Sequence, residues 1–322
     1  MSDFRNKTIL VTGATGLIGK EFVDLLMRTG DIKVVAVGRD AKKVESVFAE
    51  HVGNPNFLVA ALDNDGKPNY KRTVDYIVHC AAVTSSKVFK DNPTGVLFDN
   101  IKGCTGILDF AVEKKITRIL FLSTVEIYGA PRPKQECFYE NDCGVIDLGN
   151  PRMAYPESKR VGELLFALRR ETDGLDYVVA RPPRTFGIPT DKIDRRISSE
   201  FIRLAAEGKD IVLTSKGNQK FTFCYNVDMA AALLFLLTKG ESGQAYNIAS
   251  QDSDATVYEF AQICAKVGGV KVIINEGTSD MSHTTYTHAI TNTDKIKSLG
   301  FWPTYTLQSG VLAAIKCYKG IK

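Results

Sequence analysis

The sequence predicts an α/β chain built on a doubly wound parallel sheet, and three observations carry that prediction. Short β-branched apolar runs recur along the first half, with helix-spaced apolar residues between them. The first run, Lys7-Thr8-Ile9-Leu10-Val11, leads directly into Thr12-Gly13-Ala14-Thr15-Gly16-Leu17-Ile18-Gly19. Phe22, Leu25, Leu26 and Met27 then follow at helical spacing, and Gly30 closes the run as a C-cap. The glycines therefore sit on a strand-to-helix turn.

Such a turn offers unpaired N–H groups and the positive end of a helix dipole to a phosphate. Gly13 allows the tight bend, Gly16 lets backbone approach a pyrophosphate, and Gly19 lets helix and strand pack closely. Thr15, Leu17 and Ile18 complete the expected dinucleotide cradle.

The second strand, Lys33 to Val37, ends in Gly38-Arg39-Asp40. An acidic residue near this point takes the ribose 2′-hydroxyl of NAD. Gly38 holds that place here, and the Arg39 guanidinium can pair with a 2′-phosphate, which favours NADP(H) over NAD. Two alternatives stay open. Arg39 is an exposed arginine with Asp40 as N-cap of the next helix, or Asp40 is itself the ribose ligand. The third strand is Asn56 to Ala61, followed by Asp63 and Asn64. The fourth is Asp75 to Cys80, and the small Ala81 and Ala82 after it leave room for a cofactor. His79 reads as a packed residue. Val96 to Val112 reads as a helix broken at Gly103, with Asn100 in it.

Arg118 to Leu122 is the fifth strand, and it runs into Ser123-Thr124-Val125-Glu126-Ile127-Tyr128-Gly129. The Pro-, Gly- and Asp-rich stretch to Pro151 reads as loop. A helix then carries Tyr155-Pro156-Glu157-Ser158-Lys159, with Pro156 in the tolerant first turn. Tyr155 and Lys159 are four apart and so share a face.

Composition bounds the rest. The chain has 322 residues, 44% of them hydrophobic, which suits one large α/β domain with a small lobe. Its net charge of +4, without a basic block, argues against nucleic acid and suits an anionic small molecule. No apolar run reaches membrane-spanning length, and Met1-Ser2-Asp3-Phe4-Arg5 opens no signal peptide. Seven scattered cysteines without a Cys-x-x-Cys pair read as reduced thiols of a cytoplasmic protein. Cys137 and Cys143 share one loop, as a plain surface loop or as a disulfide or metal pair. No zinc-like histidine cluster is legible, so no metal is expected.

Gly13/Gly16/Gly19, His79-Cys80-Ala81-Ala82, Asn100, Ser123-Thr124, Tyr128-Gly129 and Tyr155-x-x-x-Lys159 occur in a telling order. The order continues through Ala180-Arg181-Pro182, Phe186-Gly187, Phe223-Cys224-Tyr225-Asn226-Val227-Asp228 and Leu299-Gly300-Phe301-Trp302-Pro303. This set spans nearly the whole chain and resembles the extended short-chain dehydrogenase/reductases, the NAD(P)-dependent epimerase/dehydratases of nucleotide sugars. Ser123 to Lys159 is most similar to the UDP-glucuronate decarboxylase and 4,6-dehydratase branches.

The resemblance implies a Rossmann-type NAD(P)-binding domain over 1–183, with 226–248 returning to it, and a substrate lobe over 184–322. It implies a homodimer through helices near 94–113 and 155–172. Asp63, Asn64, Ala81, Ala82, Asn100, Tyr155, Lys159 and Arg181 are then expected at the cofactor. Tyr155 is the expected base. A phenol of ordinary pKa about 10 needs help to ionise, which a neighbouring ammonium such as Lys159 provides. Thr124 would fix the reacting oxygen, and Glu126 would serve as acid or base. Thr84, Thr124, Arg184, Arg195, Arg196 and Phe221 are the expected substrate contacts. Phe221 stands where relatives often carry a diphosphate-binding arginine, and Arg184 where they carry asparagine, so Arg195 or Arg196 would restore the charge. Val125 replaces the dehydratase acid, which suits simple epimerisation. The implied reaction is oxidation of a nucleotide-linked sugar hydroxyl at C4 through a keto intermediate, as an epimerase. The alternatives are an NADPH-dependent ketoreductase, a decarboxylase or 4,6-dehydratase, and a non-catalytic dinucleotide sensor.

Overall fold

A computed structural model of the protein describes residues 4–84, 86–188, 196–275 and 288–321. In chain order it runs β1 (Thr8–Thr12), α1 (Leu17–Thr29), β2 (Lys33–Gly38), α2 (Ala41–Val47), β3 (Phe57–Ala61), β4 (Tyr76–His79), α3 (Ser86–Asp91) and α4 (Pro93–Lys114). Then come β5 (Arg118–Leu122), α5 (Ala154–Asp173), β6 (Tyr177–Arg181), β7 (Arg184–Phe186), α6 (Ile197–Ala206), β8 (Ile211–Leu213), β9 (Lys220–Tyr225) and α7 (Asn226–Lys239). The chain continues through β10 (Ala245–Asn247), β11 (Asp254–Thr256), α8 (Val257–Gly268), β12 (Val272–Ile274), β13 (His288–Ala289), α9 (Asp294–Ser298) and α10 (Leu307–Tyr318).

Seven strands form one all-parallel sheet in the order β10-β6-β5-β4-β1-β2-β3. Strand alternation sorts its side chains into two cores. Ile9, Val11, Val34, Ala36, Val78 and Leu120 face α1 and α7, whereas Leu10, Val35, Ile77, Ile119 and Phe121 face α4 and α5. The strand order reverses between β1 and β4, and the crevice at their C-terminal ends is where such a sheet binds ligands.

After the excursion of β7 to β9, the chain comes back: α7 packs on α1, and β10 adds to β6. Ile296 and Phe301 also lie in the α1/α7 core, so the stretch around α9 belongs to the large layer, not to the lobe. The lobe's own core gathers Phe186, Phe201, Phe223 and Phe260, with α6, α8 and α10 against the β11-β9-β13 sheet.

One expectation needs correction. The helix holding Asn100 is unbroken at Gly103. Asn92 caps it at the Gly95 N–H (2.9 Å), and the backbone of Asp65 and Gly66 lies where a Cβ on Gly106 would stand. Gly106 thus admits a neighbouring loop, and Gly103, where a Cβ would meet nothing within 4 Å, does not end the helix. Ahead of the loop that runs to Pro151, Val125–Tyr128 forms a 3₁₀ turn with Thr124 as its cap. His51 meets Asp24 at 3.2 Å beside Glu50, but Lys20 holds the other Asp24 oxygen at 2.6 Å, making an ion-pair cluster on α1. All seven cysteines are free thiols, Cys137 and Cys143 included. No described helix is long and apolar enough to cross a membrane. Phe98 on α4 and Leu164 and Leu168 on α5 are exposed.

Candidate active site

The turn after β1 is built for close approach. Gly13 has φ +65°, and a Cβ there would stand 2.6 Å from the Ala81 nitrogen. A Cβ on Gly19 would stand 2.3 Å from the Gly13 oxygen. Gly16 is the exposed N-cap of α1 and supplies no side-chain cap, so first-turn amides face an anion unopposed. Leu17 buries its side chain and offers only its N–H, Thr15 is half-buried on the turn, and Ile18 lines the neighbouring cleft. This cradle fits a dinucleotide pyrophosphate.

Behind it, Thr12 hydrogen-bonds His79 Nδ1 at 2.7 Å and receives the Ala81 N–H at 3.3 Å. His79 is buried, and burial followed by the Lys159 charge lowers its pKa from 6.5 to about 3. It packs, as its sequence context suggests. The unfolded chain therefore takes up a proton below pH 6.5 that the folded chain refuses until about pH 3. Stability is expected to fall as pH is lowered from about 6.5 to about 3, by ~1.4 kcal/mol per unit from this group. Urea melts at pH 7 and pH 5 read the slope. His79→Asn flattens it whatever its absolute stability, and an unchanged slope would refute the assignment.

Around the cradle, Arg39 is exposed and, among the described residues, makes no ion pair. Asp40 caps α2, accepting from the N–H groups of Lys42 (2.9 Å) and Lys43 (3.4 Å), which opposes its use as a ribose ligand. Asp63 also spends an oxygen on its own turn, at Asp65 and Lys67 N–H (both 2.9 Å), while Asn64 is exposed. Ala81 and Ala82 are half-buried, and Ala82 lines the cleft.

Two residues expected at the cofactor make hydrogen bonds within the protein. Asn100 is buried, donates to Ser158 Oγ (2.9 Å) and accepts from Val83 N–H (2.8 Å), so it clamps the segment after β4 to α5. The Arg181 guanidinium donates to Glu163, to the Tyr128 hydroxyl (3.0 Å) and to the Glu140 carbonyl (2.7 Å), and it is a structural cation.

The cleft, of about 260 Å³, is lined by Thr124, Glu126, Tyr155 and Lys159, with Arg184, Arg196 and Phe221 from the lobe and Thr84 at its exposed rim. Ile18, Cys80 and Ala82 line it too, so cradle and candidate base share one space. Arg195 lies outside the described residues. Lys159 is buried over the Phe121 ring (4.8 Å) and donates to the Leu122 carbonyl at 2.7 Å; burial holds its pKa below the ordinary lysine value. Tyr155 is buried against Phe89. Burial and then the Glu126 carboxylate raise its pKa, opposed by a Thr124 hydrogen bond and the charges of Arg152 and Arg196.

Arg152 is the residue sequence reasoning missed. Its Nη2 donates to both oxygens of Glu126, at 3.0 and 2.7 Å, and its guanidinium lies over Phe89 (4.4 Å) and beside Tyr155 (5.8 Å). The available signal was spacing: Arg152, Tyr155 and Lys159 recur at three and four residues, one helical face. Glu126 is thus a paired carboxylate. Arg184 lies 3.7 Å from the Phe221 ring centre, and burial brings its pKa down to about 10.

Among known proteins, the chain is 31% identical over 280 residues to UDP-glucuronic acid decarboxylase 6 of Arabidopsis thaliana, covering 85% of this chain and 79% of that protein. UDP-glucose 4-epimerase of Thermotoga maritima has the same fold (TM-score 0.79, 21% identity, 97% of this chain and 99% of that one). So has UDP-glucuronic acid 4-epimerase of Bacillus cereus, solved with UDP-glucuronic acid and NAD (TM-score 0.81, 20% identity, 97% and 99%). A profile of the NAD dependent epimerase/dehydratase family matches residues 9–249, from β1 through the cradle, Thr124, Tyr155 and Lys159 to the return of β10. The chain belongs to that family, as an enzyme of the extended short-chain dehydrogenase/reductase type.

Proposed function

We propose that the protein oxidises a hydroxyl of a nucleotide-linked sugar, at C4, and returns the hydride to the resulting ketone, acting as an epimerase. The observation that carries this is the shared cleft: Tyr155 and Thr124 open into the same space as Ile18 and Cys80 beside the glycine cradle. Bound NAD(P) supplies the hydride acceptor. Thr124 hydrogen-bonds the phenol and orients the reacting oxygen, and Tyr155 accepts its proton. Arg152 and Arg196 favour the phenolate that this needs.

Val125 has no ionisable group, and Glu126 is tied to Arg152, so the described lining of the cleft presents no free acid pair for loss of water. This supports turnover of the ketone rather than dehydration. A second reading, decarboxylation of a sugar acid, is supported by Arg152 and Arg184 close to the base and by the decarboxylase relatives. Arg39, exposed beside the side-chain-less Gly38, supports NADP(H) as the cofactor. The exposed Phe98, Leu164 and Leu168 would cover one another in a homodimer.

Native mass spectrometry tests these points together. The expected result is a two-chain mass retaining one NAD(P) per chain, with sugar-nucleotide turnover that consumes no reduced dinucleotide. Stoichiometric consumption of NADPH would instead make the enzyme a ketoreductase.

A further inference from the structure

The cleft carries more positive charge than negative. Arg152, Arg184, Arg196 and Lys159 line it, against Glu126 as the one carboxylate among its described lining residues. Glu126 spends both oxygens on Nη2 of Arg152, and Lys159 is taken by the Leu122 carbonyl. Even so, Nε and Nη1 of Arg152 are buried without acceptors, on a side chain only 10% exposed. Arg184 makes no hydrogen bond or ion pair among the described residues. Its contact is the face of Phe221, 3.7 Å from the ring centre. Burial works against its ionised form, and the Arg152 charge adds to that, with the Glu126 charge offsetting part of it. A guanidinium left in this state is costly unless an anion completes it.

We propose that Arg184, laid on Phe221, is the anion receptor of this cleft, taking an oxyanion of the substrate and so deciding which sugar nucleotides are accepted. The proposal rests on the nucleotide-sugar reading above. The ring face fixes the guanidinium plane, leaving its rigid fork of donors to meet two oxygens at once. Two groups on such a substrate have this chemistry: the diphosphate, and a carboxylate on the sugar ring. The same fork serves either.

Equilibrium titration of the cofactor-loaded protein separates them, with UDP, UDP-glucose and UDP-glucuronate as probes. Arg184→Met is expected to bind its anion about tenfold to a hundredfold more weakly, the usual worth of a charge-assisted pair. Arg184→Lys, which keeps the charge and loses the fork, recovers only part of that. Equal loss on all three probes makes the diphosphate the ligand. Loss on UDP-glucuronate alone makes it the sugar carboxylate. Removing a half-buried cation that makes no ion pair among the described residues should leave the melting temperature of Arg184→Met at or above that of the unsubstituted protein. Phe221→Leu keeps the charge and removes the platform, so weakening there by several-fold supports the proposal even if Arg184→Met folds poorly. Undiminished binding of every probe by Phe221→Leu and by a folded Arg184→Met or Arg184→Lys overturns the receptor alone. Failure of the unsubstituted protein to bind any probe overturns the nucleotide-sugar reading, and the receptor with it.

Discussion

Tyr155→Phe is expected to lower kcat by about 10²–10⁴-fold, the usual contribution of a positioned acid or base, while dinucleotide binding survives. The substitution removes one oxygen. The ring keeps its packing against Phe89, with centres 5.2 Å apart, so the cleft keeps its shape. The pyrophosphate cradle lies on the β1–α1 turn and does not use the phenol. Burial and Glu126 hold the phenol protonated beyond its ordinary range in the protein alone, so activity should climb as pH rises toward its ionisation. Steady-state rates across pH, with dinucleotide binding measured in parallel, check both statements. Unchanged kcat would remove Tyr155 from the chemistry. A protein that binds dinucleotide and turns over no sugar nucleotide, with or without the phenol, would be a sensor rather than an enzyme of this reaction.

Glu163→Ala should have the largest effect on stability, a loss of about 3–5 kcal/mol, because it strands a buried charge. Arg181 reaches Glu163 through Nε at 3.0 Å and Nη2 at 2.7 Å, with side chains only 9% and 18% exposed. Burial disfavours the guanidinium charge, but the hydrogen bonds and charge of Glu163 more than offset that and raise its pKa. The same carboxylate accepts from Ser123 Oγ at 2.5 Å, next to Thr124. Through Tyr128, which donates to Asn247 at 2.7 Å, the network also holds β10 to the end of β6. A thermal melt should therefore shift down by roughly 5–15 °C. Replacing both partners by leucine should recover much of the loss, since no charge is then left unpaired. A drop below about 1 kcal/mol for the single substitution would show that water reaches and satisfies the guanidinium.

Where residues act through their sequence neighbours, the chain was readable. The glycines of the first turn have their meaning within eight consecutive positions. Strand, bend and helix each impose their own local demand there, and alternation along β1 and β2 assigns side chains to one face or the other. Helix geometry puts Tyr155 and Lys159 on one face, but only the resemblance of the ordered motifs marked them as a candidate pair. Asn100 and Arg181 show the limit of the same reasoning. Both occur where a cofactor contact was expected, and both are consumed by partners that only folding brings near: Ser158 and Val83 for one, Glu163 and Tyr128 for the other.

The sequence by itself thus determined the parallel sheet and the glycine turn, because these follow from local backbone periodicity, whereas Tyr155 as candidate base came from the resemblance of its ordered motifs. The tertiary structure decided how charge is distributed around that base. Arg184 and Phe221 meet because β7 pairs in parallel with β9, setting Arg184 opposite Phe223, and residues two apart on a strand share a face. Arg152 finds Glu126 because the 3₁₀ turn after β5 and the short 3₁₀ turn Pro151–Met153 that leads into α5 close on one cleft. Such pairings depend on register between distant segments, which no single stretch of sequence encodes, and they set which carboxylate is paired and which cation makes no ion pair among the described residues.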